Sequence, residues 1–380
     1  MKEYAVFQEK KRIQLGLDFL KKDIVFTISL ILAVSSCFFQ SPKLEYINLP
    51  VLVSLFNLMI LIKAFEELKL LDWVAIAILN KSHTRKSVSA ILILLCFISS
   101  MFVTNDVALL TFVPLTLVIS KKTNLNMVET IILQTIAANI GSSLTPMGNP
   151  QNLFIYAHYG LKPSSFFTTI LFIALIGCCS LYVSIKKLPK EEMIIELSPI
   201  SLNSPKQAVI WGMVLAMIIA SIIGGISIKL AFIITLITVS SLQIKLLLKI
   251  DYLLLLTFIC FFIFIGNIAN TDAVQKIASS SLHSSTSIYF TSIVLSQFIS
   301  NVPAAILLAN FTKDWQPLLV GVNIGGLGTI IASMASVISY KLFSKDHPRE
   351  SKKYLIKFSI YNFTFLIFLM LLQFLFLKAF

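Results

Sequence analysis

The polar residues of this chain that could do chemistry sit inside apolar runs, where they cost most. Asp106 follows Thr104 and Asn105 in the middle of the run Ser87–Ser120. An ionised side chain at the bilayer centre costs at least ~3 kcal/mol, so an acid there needs a proton, a cation or a hydrogen-bonded cap role. Two uses stay open for it: a proton or cation carrier, or a neutral acid capping the helix that begins at Val107. A second cluster runs from Asn139 through Ile140, Gly141, Ser142, Ser143, Leu144, Thr145, Pro146, Met147, Gly148, Asn149, Pro150 and Gln151 to Asn152. Pro146 and Pro150 each remove a backbone donor, and Gly141 and Gly148 favour non-helical dihedrals. A helix broken here exposes carbonyls at one half-helix end, which can hold a cation. The N–H groups opening the next half attract an anion. Gly and Ser also gather at plain membrane helix contacts. Two prolines and two asparagines at depth favour a site over simple packing. A third cluster, Asn323 to Ser336 with Gly325, Gly326, Gly328, Thr329 and Ser333, repeats the device without proline. The fourth is Ser300, Asn301, Val302 and Pro303, a polar interruption in Thr286–Thr312.

The elements that must position these groups are transmembrane helices. Of 380 residues, 57% are hydrophobic and 13% charged, about half the charged share of a soluble domain. The stretches 1–23, 186–206 and 341–353 are the longest polar ones, and each is too short to bury a core. Crossing about 30 Å of hydrocarbon takes about 20 apolar residues. Nine runs qualify: Ile24–Gln40, Ile47–Ala64, Met127–Tyr156, Ser165–Ile185, Gln207–Ile223, Ile228–Leu242, Tyr252–Ala269, Leu318–Tyr340 and Leu355–Leu377. Ile24–Phe39 is expected as a retained first span, since no small-residue cleavage site follows it. Ser87–Ser120 and Thr286–Thr312 are too short for two crossings and a loop, which predicts re-entrant hairpins with tips at mid-membrane. Glu66–Asn80 is short and amphipathic and is expected at the interface. With the N-terminus cytoplasmic, only Lys43, Lys162, Lys229, Lys276, Lys313 and Lys378 of the 31 basic residues fall outside, as positive-inside asymmetry requires. The expected fold class is an all-α polytopic membrane protein with about nine spans and two re-entrant hairpins.

The two halves repeat. Phe102-Val103-Thr104-Asn105 matches Phe298-Ile299-Ser300-Asn301, with Ala108 opposite Ala304. Ala138-Asn139-Ile140-Gly141 matches Val322-Asn323-Ile324-Gly325, with Thr145 opposite Thr329. The expected organisation is a cytoplasmic segment 1–23 and a first repeat 24–185 with hairpin 87–120 and broken helix 127–156. A loop and linking helix 186–227 follow, then a second repeat 228–380 with hairpin 286–312 and broken helix 318–340. The single linking helix inverts the second repeat, a plan that places a transporter's site at mid-membrane between repeats.

Taken together, Thr104-Asn105-Asp106-Val107-Ala108-Leu109-Leu110 with Pro114, the stretch Asn139–Asn152, and Ser300-Asn301-Val302-Pro303 resemble the ion transporter superfamily. That group holds arsenite permeases, sodium/proton antiporters and the divalent anion–sodium symporters that carry citrate, dicarboxylates or sulfate. Asn105-Asp106-Val107-Ala108 is most similar to the arsenite permease branch and its anion-permease relatives. The resemblance spans nearly the whole chain from Ile24. It implies a homodimeric elevator-type carrier in a bacterial inner membrane, moving a small inorganic or carboxylate anion with a proton or sodium gradient or the membrane potential. It implies substrate contacts from Asn105, Thr145, Gly148, Asn149, Ser300, Asn301 and Thr329. Ion coupling falls to Thr104, Asp106, Asn139, Ser142, Asn323 and Ser333, with bound sodium as the one expected co-ligand. Sodium–dicarboxylate members carry Ser-Asn-Thr at both tips, and the Thr-Asn-Asp and Ser-Asn-Val-Pro of this chain shift the expectation toward proton coupling. A monovalent or neutral oxyacid is favoured over a dianion for the same reason. The alternative within transport is a sodium/proton antiporter.

Other classes fit poorly. The net charge of +13 sits in loops between apolar runs, with no basic stripe interleaved with aromatics for nucleic acid. Cys37, Cys96, Cys178, Cys179 and Cys260 lie in apolar runs with no metal-ligand spacing. His83, His158, His283 and His347 fall in loops, and no nucleophile–base pair or HExxH motif supports a membrane enzyme.

Overall fold

The computed structural model describes residues 24–193, 197–198 and 200–379. The cytoplasmic N-terminal segment expected at 1–23 lies outside them. Seventeen helices account for nearly all of this, and among the described residues the sole β contact is an isolated bridge between Thr84 and Glu192.

In chain order the helices are α1 (Ile24–Ser36), α2 (Leu49–Glu67), α3 (Leu70–Leu79), α4 (Arg85–Val103), α5 (Asn105–Thr123), α6 (Val128–Ser143), α7 (Pro150–His158) and α8 (Pro163–Lys186). After a linker come α9 (Pro205–Ile222), α10 (Ile228–Gln243), α11 (Tyr252–Ala269), α12 (Asp272–Ser281), α13 (Ser285–Ile299), α14 (Asn301–Ala309), α15 (Trp315–Gly325), α16 (Met334–Asp346) and α17 (Ser351–Ala379). Six uninterrupted helices outside the hairpins are long and apolar enough to cross a membrane, and the hairpin arm α4 meets the same criterion. The pairs α6/α7 and α15/α16 make two more passages, each in two pieces. The 13-residue α1 stands where the first span was expected, apolar but shorter than a full crossing.

Each break has a sequence cause. Asn149 caps α7 by accepting the Asn152 N–H, and Pro150 occupies the first helical position, where a missing donor costs nothing. Gly325 and Gly326 end α15, and a single 3₁₀ turn at Ile330–Ala332 leads into α16. Two 10-residue helices, α3 and α12, precede the two hairpins. The second was not expected: its sequence, DAVQKIASSS, reads as a polar loop.

Packing divides the helices into two groups. In one, α1 lies on α11, and α2 on α9 and α10. In the other, each hairpin's first arm runs beside the first half of the broken helix, α4 on α6 and α13 on α15. Close contact is enforced by equivalent glycines. A Cβ on Gly141 would stand 2.1 Å from the Phe97 carbonyl oxygen, and one on Gly325 would stand 2.7 Å from Ser296 Oγ. The two hairpins enter from opposite ends. The far end of α7 reaches the base of the second hairpin, where Tyr159 Oη donates to the Thr312 carbonyl (2.8 Å). The far end of α16 reaches the base of the first, where Lys121 pairs with Asp346.

Candidate functional site

Both hairpin tips turn on one residue in a conformation that L-residues avoid. Thr104 has φ 73°, ψ 153° and Ser300 has φ 72°, ψ 154°. This region is used almost exclusively by glycine and costs about 1–3 kcal/mol per residue. Two identical strained tips at equivalent positions point to a functional constraint. The turn makes Asn105 and Asn301 the first residues of α5 and α14, so their side chains stand at helix N-termini.

The first tip docks on the first break. The Asn105 backbone N–H donates to the Gly148 carbonyl (3.1 Å), and its side-chain Nδ2 donates to Asn139 Oδ1 (3.0 Å). Ser333 Oγ, at the start of α16, donates to the same Asn139 oxygen (3.0 Å). Thr145 Oγ1 ties the break to α4 through the Met101 carbonyl (2.5 Å). The second tip repeats this. Thr329 Oγ1 donates to the Gln297 carbonyl (2.9 Å), and the Asn301 amide packs against Gly326. The halves are joined by asparagines: Asn149 Nδ2 donates to Asn323 Oδ1 (3.2 Å) and to Ser142 Oγ (3.2 Å), and Asn323 Nδ2 donates to Asn152 Oδ1 (2.7 Å). Gly148 has no room for a side chain, since a Cβ there would lie 2.2 Å from the Ser142 carbonyl oxygen.

A cavity of about 300 Å³ opens where the tips, the breaks and the first helix group meet. On one side stand Asn105, Asp106, Pro150, Gln151, Ser300, Asn301 and Ser333. Opposite is an apolar wall from α1 and α11, including Ile28, Phe258, Phe261 and Ile265. Among the described residues no basic side chain lines it.

Of the residues expected at the site, Asn105, Asp106, Ser300, Asn301 and Ser333 reach this cavity. Asn139, Ser142, Asn149, Asn323, Thr145 and Thr329 lie behind it, bonded into the network that fixes the tips and breaks. Asp106 does not cap α5. The helix begins one residue earlier, no side chain caps it, and Asn105 Oδ1 accepts the Asp106 N–H (3.0 Å) instead. Asp106 Oδ1 is fully shielded from water and has no hydrogen-bond partner. Among the described residues no cluster of acids, cysteines and histidines could hold a metal ion. Gln151, named within the second cluster, lines the cavity, whereas the apolar wall and Gln297, which braces the second break, were not expected at the site. The available signal for Gln297 was the one amide side chain in its arm, three residues before the tip.

Comparison with known proteins agrees with this architecture. The profile of the citrate transporter family matches residues 13–317. A relative in Methanocaldococcus jannaschii, an uncharacterized transporter, is 34% identical over 81% of this chain and 84% of its own length. An inner membrane protein of Escherichia coli is 28% identical over 85% of this chain and 88% of its own. The P protein of Homo sapiens shares 32% identity over 36% of this chain and 16% of its own. With this family match and a relative that covers most of the chain, the protein is a membrane transporter and belongs to the citrate transporter family.

Proposed function

We propose that the chain is a secondary active permease that carries a small anion or oxyanion across the plasma membrane, with a proton moved on Asp106 as the coupling ion. The observation that carries this is the convergence of four helix N-termini on one cavity free of basic side chains. The openings of α5, α7, α14 and α16 all contribute to its wall through Asn105, Pro150, Asn301 and Ser333. Each N-terminus carries about half a positive charge, which suits an anion without a Lys or Arg, although the Asn105, Asp106 and Asn152 N–H groups are already bonded within the tip and the break. Asp106, in the first turn of α5, offsets part of that field when ionised and restores it when protonated. Proton and anion binding therefore favour each other.

An elevator-like motion is supported by unequal contacts around a repeated core. The hairpin pairs α4–α6 and α13–α15 pack alike, whereas the other group meets this core differently on its two sides, α11 against α14 and α2 against α7. One of two related docked states would give this pattern. The basic residues favour a cytoplasmic N-terminus, the E. coli relative is an inner membrane protein, and the resemblance favours a homodimer.

The test is uptake into liposomes holding purified protein under separately imposed proton and sodium gradients, offering citrate, succinate, sulfate and arsenite. Accumulation of one of these driven by the proton gradient supports the proposal. Sodium–proton exchange without anion movement would replace it with an antiporter.

A further inference from the structure

We propose that the side-chain amides of Asn152 and Gln297 fill, one in each helix break, the position that a coupling cation would need, so that the breaks are locked without sodium. This rests on reading the two breaks as the transport site. Broken helices in membranes leave unwound carbonyls pointing at one another, and the usual partners for such carbonyls are bound cations. In this chain they are already taken. Asn152 Nδ2 lies 3.3 and 3.1 Å from the carbonyl oxygens of Ser142 and Ser143, which end α6, and 3.1 Å from that of Thr145, two residues beyond it. Gln297 Nε2 lies 2.8 Å from the carbonyl oxygen of Gly325, the last residue of α15, 3.0 Å from that of Leu327 just beyond it, and 3.2 Å from that of Ile293 in its own helix. Asn152 Nδ2 is thus held by three carbonyl oxygens of its break, and Gln297 Nε2 by two of its break and one of its own helix, a donor where a monovalent cation would otherwise sit.

The orientation of both amides is fixed by partners that cannot reverse roles. Gln297 Oε1 accepts the backbone N–H of Thr329 (2.9 Å), so its nitrogen must face the carbonyls. Three carbonyls around Asn152 Nδ2 leave no place for the amide oxygen, which instead accepts from Asn323 Nδ2 (2.7 Å). Two side-chain oxygens near the breaks are also occupied: Asn139 Oδ1 accepts from Asn105 and Ser333, and Asn323 Oδ1 accepts from Asn149. The two amides come from different places, Asn152 from the half-helix after its break and Gln297 from the hairpin arm beside its own. Unlike the tips, they are not equivalent positions of the repeat, yet each reaches the same kind of carbonyl group. A neutral amide brings no charge, which leaves Asp106 as the group whose protonation can change the charge of the cavity wall.

The experiment compares melting of purified parent, Gln297→Glu and Gln297→Ser in sodium chloride or choline chloride at equal ionic strength and mildly alkaline pH. The parent is expected to melt at the same temperature in both salts. Gln297→Glu puts a carboxylate against three carbonyls and should melt lower in choline, then gain about 2–4 °C in saturating sodium. Gln297→Ser, which opens the same cage without adding charge, should show a smaller gain of the same sign and carries the comparison if the glutamate variant does not fold. A saturable sodium gain in the parent would overturn the proposal. So would melting of both variants that ignores the salt, because the cage would then take no cation. Neither readout depends on substrate movement, so a failure of the anion-permease reading leaves this result intact and distinguishable.

Discussion

Asp106 lines the same cavity as Phe258 and Phe261, and its Oδ1 has no hydrogen-bond partner among the described residues. An ionised carboxylate there has no countercharge, whereas a neutral one can rest against the apolar wall. Asp106→Asn keeps the shape and fixes the neutral form. It is expected to leave anion exchange between equal pools intact while abolishing accumulation driven by a proton gradient, measured in liposomes. The glycines are a separate test. Gly141→Ala drives a methyl into the Phe97 carbonyl and should cost about 2 kcal/mol, read as a lower melting temperature, despite the better helix propensity of alanine. At this scale the sequence exposed the polar residues, because an asparagine or acid inside an apolar run has no cheap explanation. It did not reveal which of them touch the cavity. Asn139 and Asn149 look as exposed to function as Asn105, and only packing puts them behind the wall. The cap role open to Asp106 depended on where α5 begins, and element ends are fixed by tertiary contacts rather than by local pattern.

The hairpin tips are the elements in which the fold stores strain. Thr104→Gly removes the steric cost of the positive φ at the price of a more flexible unfolded chain. It should hold or raise the melting temperature by about 1–3 °C. If the strained tip presents Asn105 to the substrate, the same variant slows uptake, and the two measurements together separate strain from simple instability. The cap of α7 makes a further case. Asn149→Ala loses the bond to the Asn152 N–H and the links to Asn323 and Ser142, and should cost about 2 kcal/mol, more than the ~1 kcal/mol of an ordinary cap. Long apolar runs made α2, α8, α10, α11 and α17 readable from sequence to within a few residues. Hidden elements were those whose apolar stripe is narrow. The short α12 carries Ala, Ser and Lys and forms between α11 and the second hairpin because those neighbours set its ends. The linker between α8 and α9 was likewise unreadable: Glu191 pairs with Arg85 (2.8 Å), and Leu197 is held by Asn80, contacts more than a hundred residues apart in sequence.

For the whole molecule, the account needs the bundle of hairpins and broken helices to move against α1, α2, α9, α10 and α11. The cavity is the contact between the two. Val302 on the second tip and Phe258 on α11 both line it and their helices pack together, so a reducible cross-linker between cysteines placed there should stop uptake and reduction should restore it. The repeat was legible from two four-residue matches because each fell on a polar break, and in the folded chain these same positions carry the equivalent tips and glycine contacts. The unequal docking of the two groups was not legible, since nothing local in a sequence records which of two packings the chain adopts. The most direct test of the central claim follows internal pH and labelled anion together in liposomes with a proton gradient and no sodium. The account predicts that anion entry is accompanied by internal acidification in the parent, and that Asp106→Asn abolishes both the acidification and the uphill accumulation. Accumulation that persists unchanged in Asp106→Asn, or that requires sodium, would contradict it.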